Sequence, residues 1–164
     1  MSLLYRMCAI FMLVLLSATG AKATHIVGGE IYYDCLGNND YRITLKVYRD
    51  CINGIPPFDD PASIGIFVGN TTVLYDNLMV TGPIIVPISS TISVPCYAPA
   101  PGTVCEEEAT YVAYVNLPPN ANGYRLVYQR CCRNNTIVNL VNPGGQGFTI
   151  TTFIPPPSLP ICNS

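Results

Sequence analysis

An antiparallel β-sandwich of about eight or nine strands is the fold this sequence predicts, and three observations carry the prediction. Apolar residues recur at every second position along most of the chain. Clusters of Gly, Pro, Asn and Asp interrupt that pattern at short intervals. No stretch combines a period of about 3.6 residues with capping residues at its ends, so no long helix is expected.

The elements follow in order. Ile26 to Cys35 is rich in β-formers, and Leu36-Gly37-Asn38-Asn39-Asp40 is a turn cluster. In Tyr41-Arg42-Ile43-Thr44-Leu45-Lys46-Val47 the Tyr, Ile, Leu and Val share one face while Arg, Thr and Lys share the other. A half-buried strand needs that alternation, and the two segments make a hairpin. Shorter strands are expected at Ile64–Val68, Thr72–Tyr75, Ile84–Val86 and Thr91–Val94. Longer ones are expected at Ala109–Leu117, Tyr124–Cys131 and Phe148–Ile154. Breakers such as Asn53-Gly54-Ile55-Pro56-Pro57 and Pro118-Pro119-Asn120-Ala121-Asn122-Gly123 separate them. Short antiparallel strands without helices suit an immunoglobulin-like sandwich, with a closed barrel as the alternative.

The N-terminal 23 residues read as a secretory signal. Arg6 precedes the apolar run Met7–Leu16, and Ala21-Lys22-Ala23 is a small-x-small site with cleavage expected between Ala23 and Thr24. The distance from Arg6 to Lys22 is too short for a span, which takes about 20 apolar residues, and no later segment qualifies. The expected organisation is a signal peptide at 1–23, a β-domain at 24–154 and a proline-rich linker at 155–164. The linker reads as a lead into a further domain, so the expected reading is a fragment of a longer chain.

Charge excludes one class of partner. Of eight Lys and Arg, Arg6 and Lys22 leave with the signal, so six face ten acidic residues and the mature net charge is −4. An acidic chain with no basic stripe does not hold nucleic acid.

Cysteine usage fits export. Removal of Cys8 leaves seven: Cys35, Cys51, Cys96, Cys105, Cys131, Cys132 and Cys162. In an oxidising compartment these are expected to pair, and the odd count leaves Cys162, in the tail, as the unpaired candidate. Cys96 and Cys105 bracket a segment without strand pattern, and closing it would contribute about 2.5–3 kcal/mol. Cys131 and Cys132 are expected to bridge to Cys35 and Cys51 in an order the sequence leaves open. Adjacent strand residues point to opposite faces, which argues against a bond between them. A redox site lacks its C-x-x-C, and the spacing matches no zinc motif. No cofactor is expected.

Other candidates have plainer readings. His25, the only histidine, reads as a strand-entry residue. Glu106-Glu107-Glu108 and Asp59-Asp60 read as solvated turns, lacking the spacing of a calcium loop. Gly144-Gly145-Gln146-Gly147 is a turn without the strand-loop-helix context of a phosphate cradle. Asn70 and Asn134 head glycosylation-type triplets. With no Trp, the chain offers little platform for sugar stacking.

Several strings carry a family resemblance. His25-Ile26-Val27-Gly28-Gly29-Glu30-Ile31, Asp34-Cys35-Leu36-Gly37-Asn38-Asn39, Tyr48-Arg49-Asp50-Cys51, Pro57–Ile66 and Tyr124–Asn134 closely resemble the opening domain of large exported proteins of gliding Bacteroidetes. The string Gln129-Arg130-Cys131-Cys132-Arg133-Asn134 is the most specific. The resemblance implies a secreted or cell-surface, gliding-motility-associated protein in which further β-domains and a type IX sorting domain follow. This chain stops at Ser164 without them, and a signal alone would deliver it to the periplasm.

The expected function is a non-enzymatic module of an adhesin or gliding-associated protein. Its partners would be neighbouring β-domains and a surface polysaccharide or protein ligand. The loops Ile52–Ala62, Val94–Ala109 and Pro118–Gly123 are the first candidates for contact. The alternatives are a carbohydrate-binding or carbohydrate-active domain, and a structural cap on a β-repeat array.

Overall fold

The structure is a computed structural model, and it describes residues 26–52, 56–88, 105–135 and 137–157. The signal and its cleavage point, His25, the strand expected at Thr91–Val94, Cys96 and Cys162 lie outside the described residues.

Eight strands are described: β1 (Ile26–Gly37), β2 (Asp40–Asp50), β3 (Ala62–Val68), β4 (Leu74–Val80), β5 (Ile84–Ile88), β6 (Glu106–Asn116), β7 (Tyr124–Cys131) and β8 (Gly147–Ile154). A single 3-10 turn, Pro143–Gly145, precedes β8. The strands form two antiparallel four-stranded sheets rather than one closed barrel. The front sheet has the order β1-β2-β6-β5 and the back sheet β4-β3-β7-β8.

Side-chain alternation determines what faces inward. On β2, Ile43, Leu45 and Val47 are fully buried, and their partners across the ladder, Tyr33, Ile31, Ala113, Tyr111 and Ala109, point the same way. On the back sheet Ile64, Ile66, Leu126, Tyr128, Phe148 and Ile154 belong to the same core cluster. A period-two sequence on both sheets therefore gives one apolar interior, and each fully buried aliphatic side chain stabilises by about 1.5–3 kcal/mol.

The first hairpin forms as the turn cluster predicts. Asn38 and Asn39 have φ of 52° and 65°, the two positive values that a two-residue type I′ turn demands. Three elements differ from expectation. β4 starts later than Thr72 and runs through Asp76-Asn77, poor strand formers tolerated because β4 is an edge. β5 is also an edge, and Pro87 sits in it without breaking a central ladder. The Glu106–Glu108 run is no turn; it opens β6 and pairs with Tyr48, Arg49 and Asp50 of β2.

Those glutamates are held by cations from the neighbouring strand. Lys46 Nζ lies 3.2 Å from Glu108 Oε1, and Arg49 Nη2 lies 2.8 Å from Glu107 Oε2. The hydrogen bond from Thr110, then the Lys46 ammonium, holds the Glu108 carboxyl below its ordinary range.

Disulfide pairing departs from the expected scheme. Cys51 bonds to Cys105, not Cys96 to Cys105. The β2–β6 register explains it: Asp50 stands opposite Glu106, so Cys51 and Cys105 are the next residues of the ladder. Their Cα atoms are 5.3 Å apart, and Cys51 N donates to Cys105 O at 3.1 Å. Cys131 and Cys132 bond to each other, across a cis peptide, rather than to Cys35 and Cys51. The alternation argument fails there because β7 ends at Cys131, and Cys132 has already left the strand. Cys35 is disulfide-bonded too, to none of these four.

Candidate functional site

Two groupings of polar side chains stand out, one closing an end of the core and one on a solvent face. The first is built around Asp59. Tyr128, on β7, donates its hydroxyl to Asp59 Oδ2 at 2.7 Å, and Tyr111, on β6, donates to the Asp59 carbonyl at 2.7 Å. Arg130 Nε lies 3.3 Å from Asp59 Oδ1, and its Nη2 donates to the Pro57 carbonyl. Arg49 reaches from the front sheet to the Pro56 carbonyl at 2.8 Å and lies over the ring of buried Phe58.

Asp59 is thus not the solvated turn residue its sequence suggests. It tethers the segment from Pro56 to Pro61 to both sheets. Burial pushes the Tyr111 hydroxyl up to about 12, with the Asp59 charge adding to it. Burial and then the hydrogen bond to Asp59 push Tyr128 further still. Both phenols stay protonated donors at any physiological pH. The loop proposed for ligand contact at Ile52–Ala62 is therefore docked through much of its described length.

The second grouping is a groove of about 630 Å³ on the outer face of the back sheet. That volume lies within the range of small-ligand sites. The inward residues of these strands fill the core, so the alternating partners must face solvent. Ser63, Gly65 and Phe67 come from β3, Leu74 and Asn77 from β4, Arg125, Val127 and Gln129 from β7, and Thr149 and Thr151 from β8. All four strands contribute, so the groove crosses about 14 Å of sheet at the usual spacing near 4.8 Å.

Gly65 makes room for the Phe67 ring. A Cβ there would lie 2.8 Å from the Phe67 ring, so that ring lies against the bare backbone of Gly65. Phe67 is only half-buried, and the Arg125 guanidinium sits 5.5 Å above its centroid. Arg125 Nη2 is anchored by the Thr71 carbonyl at 2.9 Å. Along the floor, Ser63 Oγ donates to Asn77 Oδ1 at 2.8 Å and Gln129 Nε2 donates to Thr149 Oγ1 at 3.3 Å. These cross-strand bonds fix the amides while each keeps unused donor or acceptor capacity.

Sequence reasoning missed the groove altogether. Its signal was present in the outward set of the same alternation, Ser63-x-Gly65-x-Phe67 and Arg125-x-Val127-x-Gln129. What could not be read was that β3 and β7 are neighbours.

The remaining candidates are scattered. Asn134 is 4% exposed and donates its amide to Asp50 at 3.3 Å, so its nitrogen is closed to glycosylation in the folded chain. Asn70 is exposed in the β3–β4 turn. Gly144 and Gly145 lie in the 3-10 turn and Gly147 opens β8. Among the described residues no three His, Cys, Asp or Glu side chains gather as a metal site, and no helix is long and apolar enough to cross a membrane. Comparison with protein-family models, with curated proteins and with solved structures finds no match to this chain.

Proposed function

We propose that the chain is an exported, non-enzymatic module of immunoglobulin-like sandwich type. It serves a cell-surface adhesin or gliding-associated protein and engages its ligand through the back-sheet groove. The observation that carries this reading is the groove itself: an open face on a rigid sheet where amides, hydroxyls and one arginine stand among apolar side chains. A sheet whose other face is locked into the core holds such side chains in fixed relative positions, which suits recognition. No carboxylate lines the groove, so it offers no pair of acids for glycoside hydrolysis. Export and disulfide formation agree with one another, since two bridges join described cysteines.

A carbohydrate ligand is favoured over a protein one by the lining. Ser63, Asn77, Gln129, Thr149 and Thr151 are all hydroxyls or amides, able both to donate and to accept. The test replaces Gly65 by Leu in the chromosomal gene, which displaces the Phe67 ring and reshapes the groove. Cells carrying Gly65→Leu should lose surface attachment while exporting the protein at the normal level. Unchanged attachment with a folded variant would refute the groove as the binding face.

A further inference from the structure

We infer that the back-sheet groove takes an acidic saccharide, and specifically one bearing carboxylates, with Arg125 as its anion-recognising group. The inference deepens the proposal that this groove is the ligand site and rests on it.

Arg125 is the only ionic side chain lining the groove, and no Asp or Glu lines it. Four other cations of the described chain each face a carboxylate: Arg42 with Asp34, Lys46 with Glu108, Arg49 with Glu107 and Arg130 with Asp59. Arg125 and Arg133 form no ion pair among the described residues, but Arg133 bonds the Gly147 carbonyl and does not line the groove. Acidic residues outnumber basic ones in this chain, so partners for cations are not scarce. Arg125 instead binds the neutral Thr71 carbonyl and stacks over Phe67, and its buried Nε has no hydrogen-bond partner. The side chain is positioned while its charge remains uncompensated, as an anion-binding arginine requires.

The neighbours specify the rest of the ligand. Amides and hydroxyls on four strands present mixed donors and acceptors, matching a polyol better than an apolar group. Val127 and the Phe67 ring add an apolar strip for the C–H face of a sugar. An extended peptide would seek free backbone groups, but those of β3 and β7 are consumed within the sheet. Carboxylate is favoured over a sulfate ester because it concentrates its charge on two oxygens rather than three, and so accepts stronger charge-assisted hydrogen bonds.

The experiment titrates the oxidised chain with three probes by calorimetry: an oligogalacturonate, a neutral malto-oligosaccharide and a sulfated dextran oligosaccharide. The oligogalacturonate should bind tightest. Arg125→Gln should weaken it about tenfold to a hundredfold, the usual effect of removing a hydrogen bond to a charged group. Arg125→Lys should recover part of that loss, and Arg42→Gln, on the opposite sheet, should leave affinity unchanged. Because Arg125→Gln also removes the Phe67 stacking, Asn77→Ala serves as a second variant; it should weaken the acidic and neutral probes equally. Equal wild-type affinity for the neutral probe, abolished by Gly65→Leu, would overturn the acidic ligand while leaving the groove as a site. Tighter binding of the sulfated probe would overturn the carboxylate. Failure of all three to bind a chain whose surface attachment is lost with Gly65→Leu would overturn a saccharide ligand. Failure together with unchanged attachment would overturn the site itself.

Discussion

The brace around Asp59 gives the sharpest stability prediction, because its carboxylate and its carbonyl together hold three side chains from two sheets. Tyr128→Phe removes one hydroxyl that donates to Asp59 at 2.7 Å from a residue only 1% exposed. The ring still fills its place, so no cavity opens. The loss is a hydrogen bond to a charged acceptor, about 2 kcal/mol. Asp59→Ala does more. It leaves the Tyr128 hydroxyl without its acceptor and the Arg130 guanidinium, 10% exposed, without its counter-charge. Stranding a buried charge costs about 3–5 kcal/mol, but the Asp59 side chain is 35% exposed and solvent screens it, so about 2–4 is expected. Combining the two changes should cost little beyond Asp59→Ala alone, because the hydroxyl no longer has an acceptor to lose. Urea unfolding of the oxidised chain, followed by tyrosine fluorescence, measures all three variants. With an m-value of about 1.5–2 kcal/mol per molar, Tyr128→Phe should lower the midpoint by about 1 M. Strictly additive effects, or a Tyr128→Phe shift near zero, would refute the claim that this carboxylate ties β7 to the docked loop.

Three further outcomes follow from the same structure. Replacing Cys51 and Cys105 by Ala should cost about 4 kcal/mol, the chain-entropy value for a separation of 54 residues, whereas Cys131→Ser with Cys132→Ser should cost far less because their separation of 1 closes no loop; equal losses by urea unfolding would contradict this. Gly123→Ala should destabilise by more than 1 kcal/mol, since φ is +66° and a Cβ would strike the Ile154 carbonyl; an unchanged melting temperature would count against that close approach. Tyr111 and Tyr128 have pKa values raised in the folded state, so their contribution is full below the unfolded value of 10.0 and is lost as pH rises above it. The melting temperature should therefore fall above about pH 10, less steeply in Tyr128→Phe, and tyrosinate absorbance appearing at the ordinary pKa for every tyrosine would refute the shift.

By itself the sequence determined most of the described strands and their inward faces. The Tyr41–Val47 alternation, the Asn38-Asn39 turn and the span Tyr124–Cys131 are local patterns, set by side-chain period and by residues that tolerate positive φ. What it could not determine depends on which strands are neighbours and in what register. Cys105 pairs with Cys51 because β2 and β6 align Asp50 with Glu106, and no spacing along the chain contains that alignment. Asp59 is a brace because β6 and β7 bring two tyrosines to a segment some 52 and 69 residues earlier. The groove exists because β4, β3, β7 and β8 are adjacent and turn these outward side chains onto one surface. Period-two patterning specifies which side chains point outward together on one strand. Only the packing of strands distant in sequence decides which outward side chains share a surface, and the charge and shape of that surface come from the shared set.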